Sequence, residues 1–62
     1  MENFIVVTLD NGEFVRINLN HIVFYRARET AGAYISLTGS NSFEVTQKPE
    51  QLDRMIEEAN NP

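Results

Sequence analysis

Turn signals recur about every ten residues along most of this chain, and this spacing leaves room only for short strands. The turn-forming segments are Asp10-Asn11-Gly12, residues 29–32 and Gly39-Ser40-Asn41. The runs between them are rich in β-branched and aromatic residues, which favour the extended backbone of a strand. Because no long helical period separates these runs, the sequence predicts an antiparallel β-meander instead of alternating strands and helices.

The meander is predicted to contain four or five strands, at residues 3–9, 13–19, 22–28, 33–38 and 42–46. The second strand shows the clearest alternation, since Val15 and Ile17 face one side while Phe14 and Arg16 face the other. Between the first two strands, the Asn-Gly pair at 11–12 favours a type I′ turn, in which both central residues have positive φ.

The last segment changes period from two to about 3.6 residues. Its apolar side chains, Leu52, Met55, Ile56 and Ala59, fall at the spacing of one helix face. The helix is predicted at residues 49–59, with Pro49 in the first helical position, where its missing N–H costs nothing. We therefore expect an α+β fold in a single domain, 1–62, with one C-terminal helix packed on one face of the antiparallel sheet.

One face of the predicted sheet is left uncovered. A helix of about ten residues is roughly 15 Å long, which is enough to cover one face of a small sheet and no more. On the third strand, strict alternation places Phe24 and Arg26 on the side opposite Tyr25. The apolar side chains predicted to lie on the uncovered face are Phe4, Val6, Phe14, Tyr25 and Tyr34, with Phe24 as the alternative to Tyr25.

An uncovered apolar face implies either that the sheet curls into a partly closed barrel or that another molecule buries it. A chain of 62 residues buries only a small core and usually needs a further source of stability. Disulfides are excluded because there is no cysteine, and His21 alone is too little for a zinc site. We therefore predict burial by a partner, most simply a second copy in a homodimer.

Catalysis and membrane association find no support in the sequence. The three glycines stand singly in separate turns, so there is no phosphate-binding loop, and no serine lies in a nucleophile motif. We predict that the chain is not an enzyme and takes no cofactor or metal. No apolar run approaches the length of a membrane span, and Met1-Glu2-Asn3 lacks the basic start of a secretion signal, so we expect a cytoplasmic protein that does not bind membranes.

Three arginines provide an alternative function. Arg16, Arg26 and Arg28 fall in a stretch without acidic residues, and with Tyr34 they could contact the phosphates and bases of a nucleic acid or another anionic ligand. The net charge of −4 disfavours nucleic acid. The arginines can equally pair with cross-strand acids such as Glu13 or Glu44 and cover aromatic rings.

Two resemblances bear on function. Residues 17–25 (INLNHIVFY) and 33–37 (AYISL) resemble the first half of LytTR-type DNA-binding domains, which implies a nucleic-acid-binding regulatory module. The whole chain is also similar to the small FlbD-type flagellar regulators, through the turn at 10–12, the segment 35–39 (ISLTG) and the strand-to-helix junction at 45–52. That second resemblance implies a β-meander with a terminal helix that acts by binding other proteins.

The leading prediction is a non-enzymatic regulatory or adaptor protein, of bacterial origin or a phage-borne inhibitor, that self-associates and binds a protein partner. One alternative is a nucleic-acid-binding regulatory module. Another is a binder of a small ligand at a subunit interface.

Overall fold

A computed structural model describes residues 3–60 and contains five strands and one helix. The elements are β1 (Phe4–Thr8), β2 (Phe14–Asn18), β3 (Ile22–Ala27), β4 (Ala33–Leu37), β5 (Asn41–Val45) and α1 (Pro49–Asn60). Short 3₁₀ turns at Leu19–His21 and Thr38–Ser40 join β2 to β3 and β4 to β5. All neighbouring strands are antiparallel, so the predicted α+β class is confirmed. Each bound lies within one residue of its prediction.

The strands form two sheets and not one continuous meander. One sheet is the β1–β2 hairpin, and the other has the order β3-β4-β5. A single bridge between Leu9 and Val45 joins them, together with a hydrogen bond from the Thr46 N–H to the Thr8 carbonyl at 2.8 Å. Because β2 and β3 do not pair, the five strands of the described chain do not close into a barrel.

The 3₁₀ turn between β2 and β3 explains the separation of the two sheets. Asn18 caps this turn through a hydrogen bond from the Asn20 N–H to its side-chain oxygen at 2.9 Å. At the other end, the N–H of Ile22 donates to the Leu19 carbonyl. A tight two-residue connection would have folded β3 back onto β2, whereas a 3₁₀ turn sends it in a new direction.

The first hairpin turn differs from the type I′ prediction. Only Gly12 has positive φ in this turn, at 91°, whereas a type I′ turn also requires positive φ at Asn11. The Gly12 N–H donates to the Leu9 carbonyl at 2.9 Å, and the Leu9 N–H donates to the Glu13 carbonyl at 2.8 Å. This is the three-residue hairpin loop in which a glycine in the left-handed region forms a bulge.

The core lies between the two sheets and the helix. Its fully or almost fully buried side chains are Ile5, Val7, Ile17, Ala33, Ile35, Val45 and Leu52. These residues come from both sheets and from α1, so none of the three layers buries its apolar face without the others. The predicted apolar stripe of the helix is confirmed, because Met55, Ile56 and Ala59 also pack against this core.

The helix begins where the sequence indicates. Pro49 is its first residue, and the Lys48 N–H donates to the side-chain oxygen of Gln51 at 2.9 Å. This contact is half of a capping box, which satisfies a backbone donor at the helix start. The helix then crosses the inner faces of β1 and β3, and so leaves the outer faces of both sheets uncovered.

Candidate protein-binding surface

A β-bulge in β3 decides which side chains of this strand face outward. Ile22 pairs with Leu37, but the next pair is Phe24 with Ser36, so Val23 is an extra residue. The bulge puts Ile22 and Phe24 on opposite faces, whereas strict alternation along the strand would put them on the same face. As a result Ile22 packs against the core, whereas Phe24, two residues later, is 48% exposed.

Tyr25 lies on the inner side of the same strand, which corrects its predicted place on the uncovered face. Its ring packs against the core, and its hydroxyl donates a hydrogen bond to the Asp53 carboxylate of α1. This hydrogen bond, with burial and the negative charge of Asp53, raises the pKa of Tyr25 to about 12. The outward aromatic residue of β3 is therefore Phe24, the alternative that strict alternation left open.

Three apolar side chains share the outer face of the β1–β2 hairpin. Phe4, Val6 and Phe14 are 49%, 44% and 76% exposed. Val6 is directly opposite Arg16 in the register, and Phe4 and Phe14 lie on diagonals from these two residues. We call Phe4, Val6 and Phe14, with Arg16 among them, the hairpin patch. Phe4, Val6 and Phe14 are exposed, as expected for residues on the face that the helix does not cover.

A second group lies on the outer face of the three-stranded sheet. The rings of Phe24 and Tyr34 have centroids 6.2 Å apart and are tilted by 40°. The guanidinium carbon (Cζ) of Arg26 lies 5.5 Å from the centroid of the Tyr34 ring, within the range of a cation–π contact. We call Phe24, Arg26 and Tyr34 the sheet patch. Cross-strand pairing of Arg26 with Tyr34 brings these side chains together.

Arg28 does not belong to either patch. Its guanidinium donates to the Asp10 carboxylate at 2.9 Å and lies 3.9 Å from Glu44. The hydrogen bond to Asp10 raises the pKa of Arg28, with a smaller contribution from the charge of Glu44. The pairing with Glu44 agrees with the cross-strand alternative predicted from the sequence, whereas the link to Asp10 joins the two sheets and does not follow from strand alternation. Two carboxylates already engage Arg28, so it is a weak candidate for contacting a nucleic acid.

No known protein family, characterised protein or solved structure matches this chain. The two resemblances in the sequence are therefore neither supported nor opposed by comparison.

Within residues 3–60, no cluster of three or more histidine, aspartate or glutamate side chains is arranged to hold a metal ion. No helix in this part of the chain is both long and apolar enough to cross a membrane. His21 is exposed, and its Nδ1 lies 3.1 Å from the Thr38 hydroxyl, a contact between a turn histidine and a neighbouring turn. The His21–Thr38 pair has the geometry of a structural contact between two turns.

Charge is distributed unequally over the surface. The helix carries four acidic side chains, Glu50, Asp53, Glu57 and Glu58, whereas the hairpin and sheet patches contain Arg16 and Arg26. Glu44 lies directly opposite Tyr34 in the register, on the same outer face as the sheet patch. The hairpin patch therefore has local positive charge despite the net charge of −4, whereas the sheet patch has charges of both signs. A partner of the hairpin patch meets aromatic and aliphatic surface with local positive charge.

Proposed function

We propose that this chain is a non-enzymatic cytoplasmic regulatory or adaptor module that self-associates through the hairpin patch and binds a protein partner. The observation that carries the proposal is the exposure of Phe4, Val6 and Phe14 on one face of one hairpin. Exposed apolar residues scattered singly need no explanation, but a group on one face is typical of an interaction surface.

Self-association gives the hairpin patch a thermodynamic role. Full burial of a Val or Phe side chain contributes about 1.5–3 kcal/mol of free energy. Phe4 and Val6 are half exposed, so roughly half of this free energy is still available from burying each of them in a contact. A two-fold contact buries the same patch on both copies and doubles the gain. For a domain with so small a buried core, this contribution is comparable with the stability of the isolated chain.

Sedimentation equilibrium over a range of micromolar concentrations tests this proposal. We expect a species of twice the 7.1 kDa chain mass that dissociates on dilution. Phe4→Glu should give a monomer, because it replaces an apolar contact by a charge that is costly to desolvate. Phe24→Glu is the matched control, since Phe24 is equally exposed but lies on the other sheet, and it should still dimerise. A wild-type monomer at every concentration would reject self-association.

The sheet patch favours one second candidate, a nucleic-acid-binding regulatory module. Phe24 and Tyr34 offer ring faces for base stacking, and Arg26 lies beside them in position to meet a phosphate. Fluorescence anisotropy with labelled single-stranded and duplex oligonucleotides, at low and moderate salt, tests this function. Binding that is lost in Tyr34→Ala but kept in Phe4→Glu would support it, and no binding at low salt would reject it.

A further inference from the structure

An open groove of about 340 Å³ follows one edge of β2. Its lining includes four consecutive residues of that strand, 15–18, and none of β1. Consecutive residues of a strand point to opposite faces, so a groove that touches all four lies along the edge of the strand and not over one face. Since β1 occupies the other edge, the groove lies along the edge that has no partner strand.

The backbone groups of this edge are available for pairing. Leu19 donates its N–H to the Asn3 carbonyl at 2.7 Å and Leu9 donates to Glu13 at 2.8 Å, so odd-numbered residues of β2 point toward β1. The N–H and C=O groups of Phe14, Arg16 and Asn18 consequently point outward. Among residues 3–60, β2 pairs with β1 alone, which leaves a row of donors and acceptors on its free edge.

The residues that line the groove determine which side chains of a partner fit into it. Val15 and Ile17 form one apolar wall, and Leu37 and Phe43 of the other sheet form the opposite wall. Its polar lining residues include the His21–Thr38 pair, and no carboxylate is among the lining residues. The groove thus offers apolar side chains from both sheets, and Arg16 is the arginine among its lining residues.

We propose that an extended acidic segment of a partner protein adds to β2 as a further antiparallel strand. Its alternate apolar side chains enter the groove, and its acidic side chains lie on the outer face opposite Arg16. This is strand addition to a sheet edge, in which backbone hydrogen bonds give affinity and pockets for alternate side chains give specificity. The inference rests on the proposed protein-binding function and names the chemical class of the partner.

Charge argues for such a partner over a second copy of this chain. Two β2 strands paired antiparallel along their whole length would place Arg16 opposite the same residue of the other copy. Like charges directly opposite each other destabilise a strand pair. An acidic segment instead gains a cross-strand ion pair at this position.

A blocked peptide, acetyl-Ser-Val-Glu-Val-Glu-Val-Ser-amide, is the probe. In an NMR titration of the full chain we expect the amide signals of Phe14, Arg16 and Asn18 to shift and their hydrogen exchange to slow. Amides of α1 should not respond. A peptide with backbone N-methylation on its β2-facing residues should not bind, because it lacks the donors that the strand edge requires.

Charge variants complete the test. Arg16→Glu should weaken peptide binding about five- to tenfold, because it replaces an attraction by a repulsion. Arg26→Glu makes the same charge change outside the groove and should leave the affinity within about twofold. Equal binding of a peptide with lysines in place of the glutamates, shifts confined to other strands, or no binding at saturating peptide would each overturn the inference.

The experiments distinguish failure of the self-association proposal from failure of the groove proposal. Peptide binding to monomeric Phe4→Glu would support the groove even if self-association were rejected. A dimer that ignores the peptide would overturn only the groove.

Discussion

The hydroxyl of Tyr25 on β3 donates a hydrogen bond to the carboxylate of Asp53 on α1. This contact joins two residues that are 28 positions apart in the chain and anchors the helix over the inner face of the three-stranded sheet. The strand register turns the ring of Tyr25 to the inner face, where its hydroxyl can reach Asp53.

The Tyr25–Asp53 hydrogen bond makes stability depend on pH in the alkaline range. The pKa of Tyr25 is raised from 10.0 to about 12 by folding, so the folded state holds this proton more tightly than the unfolded state. The stabilisation is complete below pH 10 and is lost as the pH rises from 10 to 12, by about 1 kcal/mol once solvent screening is allowed for. Urea unfolding across this range should show the free energy of unfolding falling.

Tyr25→Phe is the control for this pH dependence. The variant should be less stable than wild type at pH 7 and should lack the loss between pH 10 and 12 that belongs to this hydroxyl. Subtracting its ultraviolet absorbance titration from that of wild type isolates the ionisation of Tyr25. A difference curve with its midpoint at the unperturbed value of 10.0 would contradict the hydrogen bond.

Gly32 should not tolerate any side chain. Its φ is +76°, and a Cβ atom there would lie 2.0 Å from the Val45 carbonyl oxygen, which belongs to a backbone that cannot move aside. We expect Gly32→Ala to lower the free energy of unfolding by about 2 kcal/mol or more.

Gly12 provides a comparison with the same backbone strain and no clash. Its φ is +91°, and a Cβ atom at this position would have no other atom within 4 Å. Gly12→Ala should therefore cost about 1 kcal/mol. Thermal unfolding followed by circular dichroism measures both variants, and equal losses would mean that the Val45 carbonyl does not approach Gly32.

Leu52 connects the helix to the core. It is fully buried, and truncation to alanine should cost about 2–5 kcal/mol, a large share of the stability of a domain this small. Met55 lies on the same helix face but is only partly buried, so Met55→Ala should cost distinctly less. Chemical denaturation of the two variants compares them, and a larger loss for Met55→Ala would place the helix differently on the sheets.

The Arg28–Asp10 ion pair should couple the two sheets. Arg28→Ala and Asp10→Ala should each destabilise the fold, and the double variant should lose less than the sum, because the second change no longer breaks the contact. Raising NaCl to about 1 M should shrink the coupling, since the Debye length falls to about 3 Å. A coupling that is zero at low salt would show that Arg28 acts through packing alone.

Local patterning predicted most of the secondary structure correctly. Alternation in β2 places Val15 and Ile17 inside, and the helical spacing of Leu52 with its three apolar neighbours defines the buried helix face. These assignments succeed because the side-chain period is a local property of strand and helix geometry. The exposure of Phe4, Val6 and Phe14 follows from the same rule together with the short reach of one helix.

The assignment failed where one residue changed the period. The extra residue Val23 puts Ile22 and Phe24 on opposite faces, so Ile22 and Tyr25 both lie inside and Phe24 lies outside. A bulge of this kind depends on the pairing of β3 with β4. The sequence of β3 contains no glycine, which would indicate a bulge. Gly12 likewise marks the hairpin turn correctly without revealing the loop type.

The sequence by itself determined the elements of this protein, its antiparallel α+β class and the apolar surplus of its first hairpin. The tertiary structure alone decided that the strands divide into two sheets, that Arg28 reaches Asp10, and that the free edge of β2 opens on a groove. The physical reason is the distance along the chain over which each feature is determined. Periodicity follows from the backbone geometry of a few neighbouring residues, whereas these three features depend on the direction in which a 3₁₀ turn sends β3 away from β2.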